Sequence, residues 1–387
     1  MTDDLRDALV RLSERGEPAG VEALLERIET DLAAGPGRTA SIGGGWRLRF
    51  PWGRRALFAA TLALVVALVA AALVVAPGSR SGTRRVASNL AMVPERLEVS
   101  HRAALPRRGR PARLLVPSGG SLWTTSARNG GTVLYRLDGR TGRRLATVEL
   151  HGRVVDLAAG FGSVWVVAAD RGAGQPGRLV RLDARTGAVQ AEVELATPAR
   201  VATGAGAVWV TDPDRGVLDR IDPRSDRVDG TLAVPGATAV AVAGRSVLVV
   251  DTADDLVVTV DAPSLQVLFR SSGIDPAPES FVVSGSRVWA ISDGAGSVVQ
   301  LDRSGAAVGP PVRLQGPVTG AAAGSAGAVW LAHRGGSVSV GLLQPGRSVL
   351  APAERVRRIP ADALAVSRNG LWVLDTGAST LTRLEAR

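Results

Sequence analysis

Seven times between residues 121 and 374 the chain returns to one short phrase, as SLWTT, SVWVV, AVWVT, SVLVV, RVWAI, AVWLA and GLWVL. The anchors of the phrase are Trp123, Trp165, Trp209, Leu248, Trp289, Trp330 and Trp372, separated by 42, 44, 39, 41, 41 and 42 residues. Each copy has the same grammar. A strand ending in Gly or Ser leads to the Trp strand, then come a polar turn, a strand such as GRLVRLD, a turn such as ARTG and a last strand such as AVQAEVEL. Four short strands in about 41 residues cannot bury both of their faces alone. Copies stacked radially can, and the period predicts an all-β, seven-bladed β-propeller over residues 96–387.

The ends of the array sharpen this reading. The seventh copy, DALAVSRNGLWVLDTGASTLTRLEAR, stops after its third strand. Upstream, RLEVSHRAAL (96–105) alternates so that Leu97, Val99, Ala103 and Leu105 share one face. The N-terminal strand is therefore expected to complete the last blade and close the ring, which also hides an edge open to aggregation.

Recurring residues take structural roles first. A large apolar group repeated at one register fills one repeated gap between blades. Asp138, Asp183, Asp222, Asp261 and Asp302 precede tight turns, where Asp accepts backbone N–H bonds. One register has two readings. Three residues after each anchor stand Ser126, Ala168, Asp212, Asp251, Ser292, His333 and Asp375, at the propeller rim where the second strand feeds a loop. Asp212, Asp251, His333 and Asp375 are either loop caps or a ring of acceptors for a polar ligand or a weakly bound divalent cation, calcium before zinc.

Charge divides the chain into three regions. Residues 1–34 hold 9 acids and 4 Arg, residues 35–99 hold 2 acids and 9 Arg, and the remainder brings the net charge to +10. ALFAATLALVVALVAAALVVA (56–76) carries no charge, and at about 1.5 Å per residue it is roughly 31 Å long, enough to cross a bilayer. Its apolar residues favour insertion by about 5 kcal/mol together, so a transmembrane helix is expected. Trp46 and Trp52 stand as interfacial anchors beside Arg54 and Arg55, with Arg47 and Arg49 close by. This basic flank places the N-terminus in the cytoplasm and the propeller outside a cell membrane crossed once.

Before the span, residues 1–34 read as a cytoplasmic helical hairpin broken near Gly16 to Pro18, with Leu5, Leu9 and Leu12 on one apolar face and Leu24, Leu25, Ile28 and Leu32 on another. Such faces need a cytoplasmic protein partner, a second copy, or only a spacing role. Residues 35–55 form a basic Gly-rich linker and residues 77–95 an extracytoplasmic one.

Cysteine is absent, which removes disulfides and thiolate chemistry together. All 46 basic residues are Arg, dispersed along the chain, and nucleic-acid binding is not expected. No nucleophile elbow, phosphate loop, paired-His zinc motif or dinucleotide fingerprint occurs in context.

VWVTDPDRGVLDRIDPRS (208–225), with VLVVD, LWVLD and VWLAH as weaker copies, resembles the repeat of YVTN-type and virginiamycin B lyase-like propellers over about residues 112–387. The resemblance implies the propeller fold. The lyase relatives use a His base with acidic metal ligands, whereas the histidines of this stretch are His151 and His333. The favoured reading is a single-pass, membrane-anchored extracytoplasmic binding or sensing module without catalytic residues or an obligatory cofactor. Two alternatives stand beside it: a propeller enzyme of the lyase or lactonase type, and a transmembrane regulator, similar in layout to anti-sigma factors, that holds a partner through residues 1–34.

Overall fold

The computed structural model describes residues 97–105, 110–128, 130–169, 176–274, 277–335, 337–347, 351–352 and 360–386. The expectations for 1–34, 35–55, 56–76 and 77–95 fall outside them. Among the described residues no helix is long and apolar enough to cross a membrane.

Among the described residues twenty-eight strands form seven four-stranded antiparallel sheets. Strand β1 (Leu97–Ala104) stands apart from its neighbours in sequence. The first blade is β2 (Arg110–Ser118), β3 (Ser121–Arg128), β4 (Gly131–Asp138) and β5 (Arg144–His151). The second is β6 (Arg153–Gly160), β7 (Ser163–Ala169), β8 (Gly177–Asp183) and β9 (Val189–Leu195). The third is β10 (Arg200–Gly204), β11 (Ala207–Asp212), β12 (Val217–Asp222) and β13 (Arg227–Ala233). The fourth is β14 (Ala237–Ala243), β15 (Ser246–Asp251), β16 (Leu256–Asp261) and β17 (Val267–Ser271). The fifth is β18 (Ser280–Ser284), β19 (Arg287–Ser292), β20 (Ser297–Leu301) and β21 (Val312–Arg313). The sixth is β22 (Val318–Ala323), β23 (Val329–Gly335), β24 (Ser337–Leu343) and β25 (Ala351–Pro352). The seventh combines β26 (Ala363–Ser367), β27 (Gly370–Asp375) and β28 (Thr380–Ala386) with β1.

The ring closes as the sequence implies. Strand β1 pairs antiparallel with β28 from Leu97 opposite Ala386 to Ala104 opposite Thr380. The inner strands β2, β6, β10, β14, β18, β22 and β26 each contact the next, and β26 returns to β2. The expected alternation in β1 holds only at its ends: Leu97 and Leu105 are buried, but Val99 is 45% exposed. The cause is a bulge at Ser100, between Val99 and His101, in an outermost strand with no sheet neighbour on its far side. The outer strands β5, β9, β13 and β17 carry bulges at the matching place.

The core lies between blades. Trp372, Leu374 and Leu381 of the seventh blade pack with Leu122, Tyr135 and Leu137 of the first, and Trp123 of the first packs with Val164, Val180 and Leu182 of the second. Every anchor of the repeat is buried. The turn between third and fourth strands of one blade covers the anchor of the blade before it. At Gly142 (φ +67°) a Cβ would lie 2.7 Å from Ala103 Cβ and 3.2 Å from the Trp372 ring, so that turn needs glycine for both conformation and clearance; at Gly187 (φ +84°), 3.4 Å from Trp123, the positive φ is the reason for glycine. The turn Asp residues cap as expected: Asp138 accepts from Thr141 N at 2.8 Å and Asp183 from Thr186 N at 2.7 Å. These bonds, led by those from the Thr hydroxyls, hold both carboxyls below the usual range.

A second recurrence, in YRLD, VRLD, DRID and TRLE, places an Arg directly across the sheet from the anchor. Arg181 lies 5.2 Å over the Trp165 ring and reaches Pro223 O (2.7 Å) and Asp226 (3.0 Å) in the third blade. Arg220 donates to Ala262 O and Pro263 O in the fourth, and Arg383 to Arg140 O in the first. A planar, five-donor guanidinium stacks on the ring and clamps the next blade at once, which Lys would not do.

Candidate functional site

Each blade offers two connections to one face of the ring: the loop between its second and third strands, and the segment arriving from the fourth strand of the previous blade. The register three residues after the anchor ends the second strand in the third, fourth, fifth and seventh blades and lies one or two residues before its end in the others. Asp212 is fully buried; its carboxylate accepts from Thr197 N (2.9 Å), Thr197 Oγ1 (2.5 Å) and Arg215 N (3.1 Å), tying the arriving segment to the loop. Arg215 also bonds the buried Asp219 at 3.2 Å. Asp251 accepts from Gly236 N (2.9 Å) and Ala253 N (3.1 Å), the same tie one blade on. A Cβ at Gly236 would lie 2.2 Å from Ala253 N, so the loop fits only glycine.

The staple reappears with its ends exchanged. In the seventh blade Asp362, on the arriving segment, accepts from Thr376 N (2.9 Å) and from Arg334 of the sixth blade (3.0 Å). In the fifth, Glu279 accepts from Gly294 N at 3.1 Å. Asp375 caps its own loop through Ala378 N at 2.9 Å. His333 is buried with no partner for Nδ1, and burial holds its pKa below the ordinary imidazole value. The sequence placed Asp212, Asp251, His333 and Asp375 at one face, and each lies there at its own blade. Among the described residues no three His, Asp or Glu side chains gather as a metal-holding group. His151 ends the outer strand β5, away from the inner strands, and is exposed.

Sequence reasoning missed Asp156. It interrupts the inner strand β6, RVVDLAAG, and its carboxylate accepts from Val201 N of β10 at 2.9 Å. Arg200 N is turned toward β11, where it bonds Thr211 Oγ1, so the alternating Val201 N–H faces the ring's central channel. Burial pushes the Asp156 pKa up to about 6, against the pull of the Val201 N–H and the nearby Arg200. The folded value exceeds the unfolded one near 3.8. This group's contribution to stability is therefore full below pH ~4 and is lost as pH rises through 6. Asp156→Asn keeps an oxygen for Val201 N–H and removes that loss. The ceiling is about 3 kcal/mol; partial contact with channel water reduces the expected gain to about 1–2 kcal/mol at pH 8, with none at pH 4. Thermal melts of both proteins at the two pH values check this, and an equal gain at pH 4 would contradict it.

These features define a closed seven-bladed β-propeller with a stapled loop face and a channel lined by inner strands. No family model and no curated protein matches the sequence. Among solved structures the chain is similar to the WD40 repeats of RRP9, with a TM-score of 0.59 at 12% identity, covering 75% of this chain and 100% of that one. It is also similar to BamB from Moraxella catarrhalis, with a TM-score of 0.50 at 15% identity, covering 75% and 97%. At these identities the likeness is one of fold.

Proposed function

We propose that the chain is a binding module held outside the cell membrane by residues 56–76, whose propeller face engages a protein or polar ligand while residues 1–34 hold a cytoplasmic protein partner. The observation that carries the binding reading is the state of the rim carboxylates. Asp212, Asp251, Asp362 and Glu279 spend oxygen atoms on loop N–H groups, which makes the face a stiff platform rather than a set of free acids and bases. Preformed loops lower the ordering cost of association. The anchoring rests on the uncharged 21-residue span with its basic flank, and the repeat's resemblance to YVTN-type propellers fits the same layout.

Protease added to intact cells tests the arrangement. Cleavage is expected within residues 77–95, releasing a resistant fragment that begins near residue 96, because a closed propeller offers few extended segments. A propeller protected until the cells are lysed would overturn the orientation.

A further inference from the structure

At the second and seventh blades the space over the anchor Trp is filled from two sides. Trp372 is met by Arg383 from its own blade and by Gly142 from the next. Trp165 is met by Arg181, which is bonded to the turn at Pro223 and Asp226. At the fifth blade the Arg of this arrangement is replaced. Gln300 stands across from Trp289 where the first, second, third and seventh blades have Arg. In the facing turn of the sixth blade, a Cβ on Gly346 would meet nothing within 4 Å.

The result is a cleft of about 390 Å³ on the face opposite the stapled loops. Its exposed apolar residues are Val308 and Pro310, with the buried Trp289, Val298 and Val312 also in its lining; Gln300 adds a carboxamide, and Arg287 and Arg347 line it as well. Both Arg residues are exposed, and among the described residues neither guanidinium has a hydrogen bond or an ion pair. Small-molecule sites are mostly apolar clefts of roughly this volume with a few polar groups that fix orientation.

We propose that this cleft binds a carboxylate carried on a short aliphatic stem. Two guanidinium groups with open donors match the two oxygens of a carboxylate, and the apolar walls shield that pair from water while covering the stem. A phosphate fits less well, because its third charged oxygen would face the valine and proline wall with no donor. A free acid and a peptide C-terminus share this chemistry. The inference goes beyond the anchored-module reading and needs neither a membrane nor a partner.

Calorimetric titration of the full chain with 4-methylpentanoate, with its neutral amide as control, tests the site. The acid is expected to bind at least about tenfold more tightly than the amide, and Arg347→Ala and Arg287→Gln are each expected to weaken it about tenfold. Gln300→Arg is expected to abolish binding without lowering the melting temperature, because it restores the filling seen over Trp165 and Trp372. Arg347 is an exposed turn residue, so its replacement leaves folding intact. Acetyl-valyl-leucine with a free C-terminus separates the sources: tighter binding than the simple acid assigns a peptide end, weaker binding a free acid. Equal binding of acid and amide, tighter binding of inorganic phosphate, indifference to both Arg347→Ala and Gln300→Arg, or no heat of binding would each overturn the proposal.

Discussion

Removing residues 1–105 is expected to destabilise the propeller more than any single substitution, whereas a chain beginning at residue 90 keeps the melting temperature of the whole. The difference is β1. Its removal takes away the ladder to β28, the Leu105 N bond to Ser379 O, and two buried leucines, Leu97 and Leu105. Each buried Leu side chain is worth about 1.5–3 kcal/mol, and the lost ladder adds several net hydrogen bonds of about 1 kcal/mol each. The sum exceeds about 5 kcal/mol, comparable with the entire stability of many domains. The bared β28 edge then offers its N–H and C=O groups to other chains, so aggregation should accompany the loss. Circular dichroism melts of the two shortened chains, with light scattering, give the result; coincident melts would show that β1 does not hold the ring.

The architecture was legible because each repeat must fill the same gap between blades, and the largest filler marks the period. Leu248 shows why the spacing mattered more than the residue: the fourth blade lacks the Trp, yet Leu248 is equally buried at the same register. The clamping Arg was present in YRLD, VRLD, DRID and TRLE but not distinctive, because every basic residue of the chain is Arg. Its role appears only when Arg181 is seen to touch a turn 42 residues later.

The rim was legible in place and not in use. Spacing put Asp212 and Asp375 at the same strand end, but it cannot say that Asp212 reaches back to Thr197 while Asp375 caps forward to Ala378. That choice depends on loops whose conformations are set by neighbouring blades. Asp156 was hidden for a related reason. A single acid among RVVDLAAG looks like an exposed position in an alternating strand, whereas a propeller's inner strand is covered on both faces and meets water only along its edge.

Trp372→Ala is expected to cost about 3–5 kcal/mol in the closed ring, lowering the melting temperature by roughly 6–15 °C. The ring of Trp372 is fully buried, its Nε1 donates to Gly139 O at 3.0 Å, and Arg383 lies 5.9 Å over its face. Truncation therefore leaves a cavity, a Gly139 carbonyl held only by Asn369 Nδ2, and a guanidinium without its platform. The same substitution becomes far more informative in the chain that begins at residue 106. Trp372 belongs to the cluster that contains Leu105 and Leu381, and a Cβ at Gly142 would lie 2.7 Å from the Ala103 side chain of β1. With β1 gone, that seam between the seventh and first blades has already opened, so the substitution should add less than about 1 kcal/mol. The resulting interaction energy, about 2 kcal/mol or more, is what groups in one cooperative contact show, while independent sites add. Fully additive costs would mean that the seam stays packed without β1, and that closure adds stability without holding the blades together.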